Sequence, residues 1–195
     1  MPLIDMPLEE LKQYKGLNEC PADLDEFWDR SLQEMEALGT DYELVPAEFQ
    51  APGAECFHLW FTGMGGARVH ARFLRPAKRE GKLPAVLMFH GYSGDSGSFA
   101  SKLGYVGAGY VVAAMDCRGQ GGLSEDPVPV KGNTLNGQII RGLEDEPEKL
   151  YFRNVFLDAA QLARIVMSLS YVDETRVAAT GGSQGGGLTL ACAAL

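Results

Sequence analysis

Gly181-Gly182-Ser183-Gln184-Gly185 reads G-x-S-x-G, the spacing at which a serine can be held at a sharp strand-to-helix turn and used as a nucleophile. The apolar run Arg176-Val177-Ala178-Ala179-Thr180 precedes it, and residues 187–195 form a small apolar stretch suited to a helix. Glycines belong beside such a serine because the turn is strained and other side chains would crowd it. The same five residues also suit an ordinary Gly-rich strand-to-helix turn, so the rest of the chain has to decide between the two.

Acyl transfer by serine needs an exposed hydroxyl, a histidine to take its proton, and donors for the oxyanion that develops on the attacked carbonyl. In an elbow of this kind one donor is the backbone N–H of the residue after the nucleophile, here Gln184, and the second comes from a loop after an earlier strand. His90-Gly91-Tyr92 closes the apolar run Leu83-Pro84-Ala85-Val86-Leu87-Met88-Phe89, which makes the N–H of Tyr92 the candidate second donor. Gly91 would let the backbone turn toward the substrate carbonyl. The base is not expected among these residues. The architecture orders Ser, then Asp or Glu, then His along the chain, yet only twelve residues follow Ser183 and none is acidic or histidine. His58, His70 and His90 all precede it; His90 is nearest in topology, but a histidine opening such a loop is expected to shape it, and a structural or exposed role is expected for His70.

The elements that must position these residues are legible as changes of period. Helices are expected over residues 7–14 and 22–38, the second with Leu24, Phe27, Trp28, Leu32, Met35 and Leu38 at mostly three- and four-residue spacing and Gly39 beyond its end. Residues 56–61 and 69–74 read as a hairpin at a sheet edge, joined by Gly63-Met64-Gly65-Gly66. The continuous apolar strand at 83–90, a helix with Phe99, Leu103 and Val106, and a second apolar strand at 110–116 make a βαβ unit, hence a sheet that is parallel in its centre. Residues 151–169 carry a helical pattern that leads into the strand before Ser183. Between them, residues 122–148 are polar and rich in Pro and Gly, which fits a binding or oligomer contact or an open surface loop.

With 46% hydrophobic residues, the 195-residue chain can bury a substantial core and fits one domain or most of one. Its 17 Lys and Arg against 26 Asp and Glu argue against nucleic acid or an anionic membrane as partner. No apolar run approaches a membrane span and the first residues lack a secretory pattern, so a cytoplasmic location is expected. Cys20, Cys56, Cys117 and Cys192 form no C-x-x-C pair and the histidines no ligand spacing, so neither metal nor cofactor is expected.

His90-Gly91-Tyr92, Arg118-Gly119-Gln120-Gly121 and residues 181–187, in that order and together with Asp5-Met6-Pro7-Leu8-Glu9-Glu10-Leu11, closely resemble the cephalosporin C deacetylase and acetyl xylan esterase family of carbohydrate esterases. The resemblance runs over the whole chain. It implies an α/β-hydrolase fold with a mostly parallel central sheet and removal of acetyl groups from small acetylated sugars, xylo-oligosaccharides and cephalosporin-type compounds. It further implies a cytoplasmic homo-oligomer, a ring-like hexamer. It carries the nucleophile to Ser183 and the oxyanion donors to Tyr92 and Gln184, and gives Arg118, Gly119 and Gln120 a chiefly structural part. Family members continue well past the elbow, where their acid and histidine lie. The expectation is therefore an N-terminal helical arm over 1–40 followed by the N-terminal part of an α/β-hydrolase domain over 41–195, truncated after the elbow.

Overall fold

A computed structural model of the chain describes residues 5–132 and 137–195. Six strands, β1 (Tyr42–Pro46), β2 (Ala54–Thr62), β3 (Arg68–Pro76), β4 (Leu83–Phe89), β5 (Val111–Met115) and β6 (Val172–Gly181), form one sheet in the order β1-β2-β3-β5-β4-β6. The expected parallel centre is the block β5-β4-β6, with β4 parallel to both neighbours. The other three pairings are antiparallel.

The hairpin of β2 and β3 is not at the edge, as its sequence suggested. β1 pairs with β2 and takes the edge, while β3 pairs with β5 and joins the meander to the parallel block. The distinction follows from composition: β1 is five residues long, exposed at four of them, and ends in Pro46, which cannot donate to a ladder. β3 is buried at six of nine positions.

Alternation along the strands assigns each face its helices. Leu59, Ala71, Phe73, Leu87 and Ala113 lie under α4 (Tyr151–Ser168), which buries Val155, Ala159, Leu162, Ile165 and Val166 against them. Cys56, Leu74, Val86 and Val112 face the other way, toward Phe99 and Val106 of the segment around α3 (Leu103–Gly107). The chain thus leaves β4 through α3 to β5 on one side and returns through α4 to β6 on the other. The carboxyl ends of β4 and β6 form a topological switch point, the place where open α/β sheets hold ligands.

The amino-terminal helices differ in how they are held. α2 (Leu24–Glu36) sets Met35 into a small core with Met64, Leu157 and Ala160. α1 (Leu8–Leu11) is one turn, much shorter than the expected 7–14, and buries nothing. Forming a helix nucleus is costly, and without a surface to cover there is little to offset it. Residues 122–148 carry only two short 3-10 turns among the described residues, Gln138–Ile140 and Pro147–Lys149; residues 133–136 lie outside them.

Candidate active site

Ser183 sits between the last residue of β6 and the first of α5 (Gln184–Ala194), exposed, with φ +55° and ψ −124°. Few residues other than glycine occupy that region, and holding one there costs on the order of 1–3 kcal/mol unless the surroundings over-determine it. They do so through two of the motif's glycines. A Cβ on Gly181 would lie 2.5 Å from the carbonyl carbon of Gly185 and 2.7 Å from the oxygen of Phe89. A Cβ on Gly185 would collide with the Phe89 carbonyl, 2.7 Å from its carbon. The elbow is therefore packed backbone to backbone against the end of β4, whereas Gly182 has no atom within 4 Å of such a Cβ.

This gives opposite signs to two substitutions in one helix. Gly187 is helical, exposed and free of neighbours, so Gly187→Ala is expected to stabilise by about 0.5–1 kcal/mol through helix propensity. Gly185→Ala gains the same propensity but is expected to lose about 1–3 kcal/mol net, because the Phe89 backbone has no room to yield. Urea denaturation of the two variants reads the difference.

The loop after β4 meets the elbow directly. A Cβ on Gly91 would be 3.8 Å from the Cβ of Ser183 and 3.7 Å from the carbonyl oxygen of Gly182. The next amide along is that of Tyr92, which takes no part in the turn and loop hydrogen bonds among the described residues. Gln184 is the first residue of α5, where a backbone N–H has no intrahelical acceptor and the helix dipole favours negative charge. The structure thus brings Ser183, Tyr92 and Gln184 to one place at the switch point.

Beneath them the Arg118-Gly119-Gln120 segment forms a platform. Arg118, fully buried, donates Nε to Oδ2 and Nη2 to Oδ1 of Asp158 on α4, both at 2.7 Å. Asp158 also accepts the Met64 N–H. Tyr151 donates its hydroxyl to the Arg118 carbonyl at 2.6 Å and accepts from the Gln120 amide at 2.8 Å. From the long loop, the N–H of Gln138 donates to the hydroxyl of Tyr92 at 2.7 Å and its side-chain amide to the Gly119 carbonyl at 2.9 Å. The 122–148 segment therefore reaches the site through Gln138, where Tyr92, Ser93, Gly119 and Gln138 line a cleft of about 240 Å³, and the platform through Asp126, whose Oδ1 lies 3.5 Å from Nη1 of Arg118.

All three histidines are engaged elsewhere. His90 accepts the Cys117 N–H at Nε2 (2.9 Å), so its proton is on Nδ1 and goes to the Gly91 carbonyl (2.7 Å); both nitrogens serve the loop it opens. His70 is fully buried, with Nδ1 2.6 Å from Oδ2 of Asp116 and Nε2 2.8 Å from Nδ1 of His58. Burial alone would raise the Asp116 carboxyl, but hydrogen bonds from His70, Leu123 and Ser96 overcome it and hold the group well below the usual carboxylate range. His58 is pushed below the ordinary imidazole value, mainly by burial and then by His70. None of the three is hydrogen-bonded to Ser183 among the described residues. Cys117 is no rival nucleophile, since burial pushes its thiol up to about 12, with Asp158 and Asp116 adding to the effect.

The sequence offered no signal for Asp158 as the partner of Arg118, because the two are forty residues apart in chain and meet only when α4 packs on the sheet. Nor did it signal that Asp116, the polar end of an apolar strand, gathers Ser96, Leu123 and His70. Among the described residues, no cluster of His, Cys, Asp and Glu is arranged to hold a metal ion, and no helix is long and apolar enough to cross a membrane.

A family model described as acetyl xylan esterase matches residues 1–195. Among solved structures, acetyl xylan esterase 1 from Thermoanaerobacterium sp. JW/SL YS485 is 56% identical over 97% of this chain, with a TM-score of 0.93. Acetyl xylan esterase from Paenibacillus sp. R4 is 31% identical over 96% of it, with a TM-score of 0.88. This chain spans 60% of the length of each. The architecture is that of the α/β-hydrolase esterases.

Proposed function

We propose, from the premise that this chain belongs to the acetyl xylan esterase family, that Ser183 is the nucleophile of a serine carboxylesterase acting on small acetylated substrates. The observation that carries the reading is Ser183 itself, an exposed serine at positive φ on a strand-to-helix turn, with the Gly91-Tyr92 backbone beside it and the first amide of α5 behind it.

The reaction runs in two halves. Ser183 Oγ attacks the acetyl carbonyl carbon while its proton passes to a histidine, and the negative charge forming on the carbonyl oxygen is received by the N–H groups of Tyr92 and Gln184. The ester C–O bond then breaks, the histidine protonates the departing alcohol, and an acetyl-serine remains. Water, deprotonated by the same histidine, attacks the acetyl-serine and releases acetate, returning the proton to Ser183. The histidine and the acid that orients it are contributed from outside residues 1–195. Two facts support this: His58, His70 and His90 are all committed to other groups, and the relatives are longer than this chain.

The substrates we assign are acetylated sugars, xylo-oligosaccharides and cephalosporin-type acetates. The names of the matched family and of its two solved relatives support the xylan side of that assignment. The four free cysteines, two of them fully buried thiols, fit a reducing compartment, and we place the protein in the cytoplasm. A homo-oligomer, a hexamer by resemblance, is supported by Leu8, Tyr14 and Leu17, which stand exposed on the 1–40 arm.

A series of p-nitrophenyl esters tests the assignment against a longer-chain esterase or a peptidase. With the protein as expressed from its natural gene, kcat/KM is expected to be highest for acetate and to fall at least roughly tenfold by butyrate, since a pocket shaped for a methyl group must be strained by two further methylenes. A rate that rises with chain length would overturn it.

A further inference from the structure

Two residues other than glycine have positive φ among the described residues, Ser183 at +55° and Ser93 at +59°, and they lie on opposite sides of the site. Ser183 is followed by one oxyanion amide, that of Gln184, and Ser93 is preceded by the other, that of Tyr92. One side chain touches both halves. Oε1 of Gln120 accepts the Ser93 N–H at 2.8 Å, while Nε2 of Gln120 donates to Oε1 of Gln184 at 2.9 Å and to the Tyr151 hydroxyl at 2.8 Å.

We propose that Gln120 is a positioning residue of the oxyanion site: its side-chain amide fixes the separation of the Tyr92 and Gln184 N–H groups by holding Ser93 and Gln184 at once. The proposal rests on the reading of those two amides as the oxyanion donors. The chemistry of the bridge admits few alternatives. The Ser93 N–H can only donate, so it must face the amide oxygen. The Tyr151 hydroxyl already gives its proton to the Arg118 carbonyl, so it must accept from the amide nitrogen. Ser93 thus requires an acceptor and Tyr151 a donor in one planar group, which glutamine supplies and glutamate does not; Gln184 meets both ends of it, since its Nε2 also lies 3.3 Å from Gln120 Oε1. The mounting is rigid: Tyr151 is buried, Arg118 is pinned by Asp158, and Gly121 donates its N–H to the Gly94 carbonyl at 3.1 Å, where a side chain would strike the Ser93 carbonyl. Ser93 stands at the third position of a turn closed by the Gly94 N–H on the Gly91 carbonyl at 3.0 Å, and the bond from Gln120 ties that turn to the elbow.

Gln120→Glu keeps the size and the acceptor for Ser93 but replaces the donor that faces the Tyr151 hydroxyl with an acceptor; Gln120→Met keeps the size and removes both functions. Each is made in the protein as expressed from its natural gene, beside Ser183→Ala, and active sites are counted by titration with a serine-reactive phosphonate so that unfolded protein does not enter the rate. The expected result is a fall in kcat per titrated site of roughly 10- to 100-fold, less than the 10²–10³ of deleting an oxyanion donor outright, with KM for p-nitrophenyl acetate within about twofold. Inhibition by a methyl trifluoromethyl ketone, whose tetrahedral serine adduct places its oxyanion on the two amides, should weaken by the same factor as kcat. A merely structural role would leave that inhibition constant unchanged. Parent-like kcat in both variants, or a loss of kcat with unaltered ketone inhibition, overturns the proposal while leaving the nucleophile in place. Activity retained in Ser183→Ala overturns the reading beneath it, and the proposal with it.

Discussion

Ser183→Ala is expected to lower turnover of p-nitrophenyl acetate by roughly 10⁴- to 10⁶-fold, with little change in stability. The size follows from what the hydroxyl alone supplies. Tyr92 and Gln184 would still offer their amides to a developing oxyanion, and in serine hydrolases the oxyanion site and binding leave a residual acceleration of roughly 10³–10⁴ over water when the nucleophile is removed. The covalent route is lost with the Oγ. Stability should move little because Ser183 is exposed and no hydrogen bond of its side chain is recorded among the described residues. Alanine at φ +55° meets the same backbone strain as serine, so the variant isolates chemistry from folding. Steady-state rates and thermal melts of the pair check both halves of the expectation. Loss of activity together with a collapse in melting temperature would assign Ser183 a structural part instead.

Arg118→Met is expected to show the opposite pattern, a loss of about 3–5 kcal/mol of stability, because breaking a buried ion pair leaves its partner's charge without compensation. The side chain of Arg118 is 0% exposed and that of Asp158 is 1% exposed. Two charge-assisted bonds hold them, and after substitution Asp158 keeps only the Met64 N–H as a partner from that set. Burial already pushes the Asp158 carboxyl up in spite of Arg118, and without Arg118 it would rise further, so that it is protonated or strands a charge in the core. A double variant, Arg118→Met with Asp158→Leu, should recover a large part of the loss, since replacing a buried pair with apolar residues of similar volume is often near neutral. Urea denaturation of the parent, the two singles and the double closes the cycle. Equal stability of Arg118→Met and the parent would mean that the platform under Gln120 is held by something other than this pair.

What could be read from the sequence was what depends on period and local composition. The apolar runs at β4 and β5 and the helical pattern of α4 gave the parallel centre, because a strand buried on both faces and an amphipathic helix each write their environment into a short stretch. The elbow was legible for the same reason: Gly181 and Gly185 are required where the Phe89 backbone comes within contact. The place of the β2–β3 hairpin was not legible. Whether a hairpin lies at an edge depends on what pairs with its far sides: β1 is short and mostly exposed, so it writes little apolar pattern, and β5 is distant in chain from β3. Asp158 and the Asp116 cluster were hidden likewise, since a carboxylate on a helix or at a strand end looks solvated until its partners arrive. The Arg118-Gly119-Gln120 motif shows the boundary between the two. Its place was found from resemblance, and the two-sided contact of Gln120 with Ser93 and Gln184 appears only in three dimensions.

The most direct test of the nucleophile is to incubate the protein, as expressed from its natural gene, with a fluorophosphonate and to locate the adduct by peptide mass. Such reagents phosphonylate a serine whose hydroxyl is activated, and buried or inactive serines are left alone. The account predicts one phosphonyl group per active chain, on Ser183, with esterase activity lost in proportion to labelling. An active esterase whose adduct lies on another serine, or whose inactivation leaves Ser183 unmodified, would contradict it.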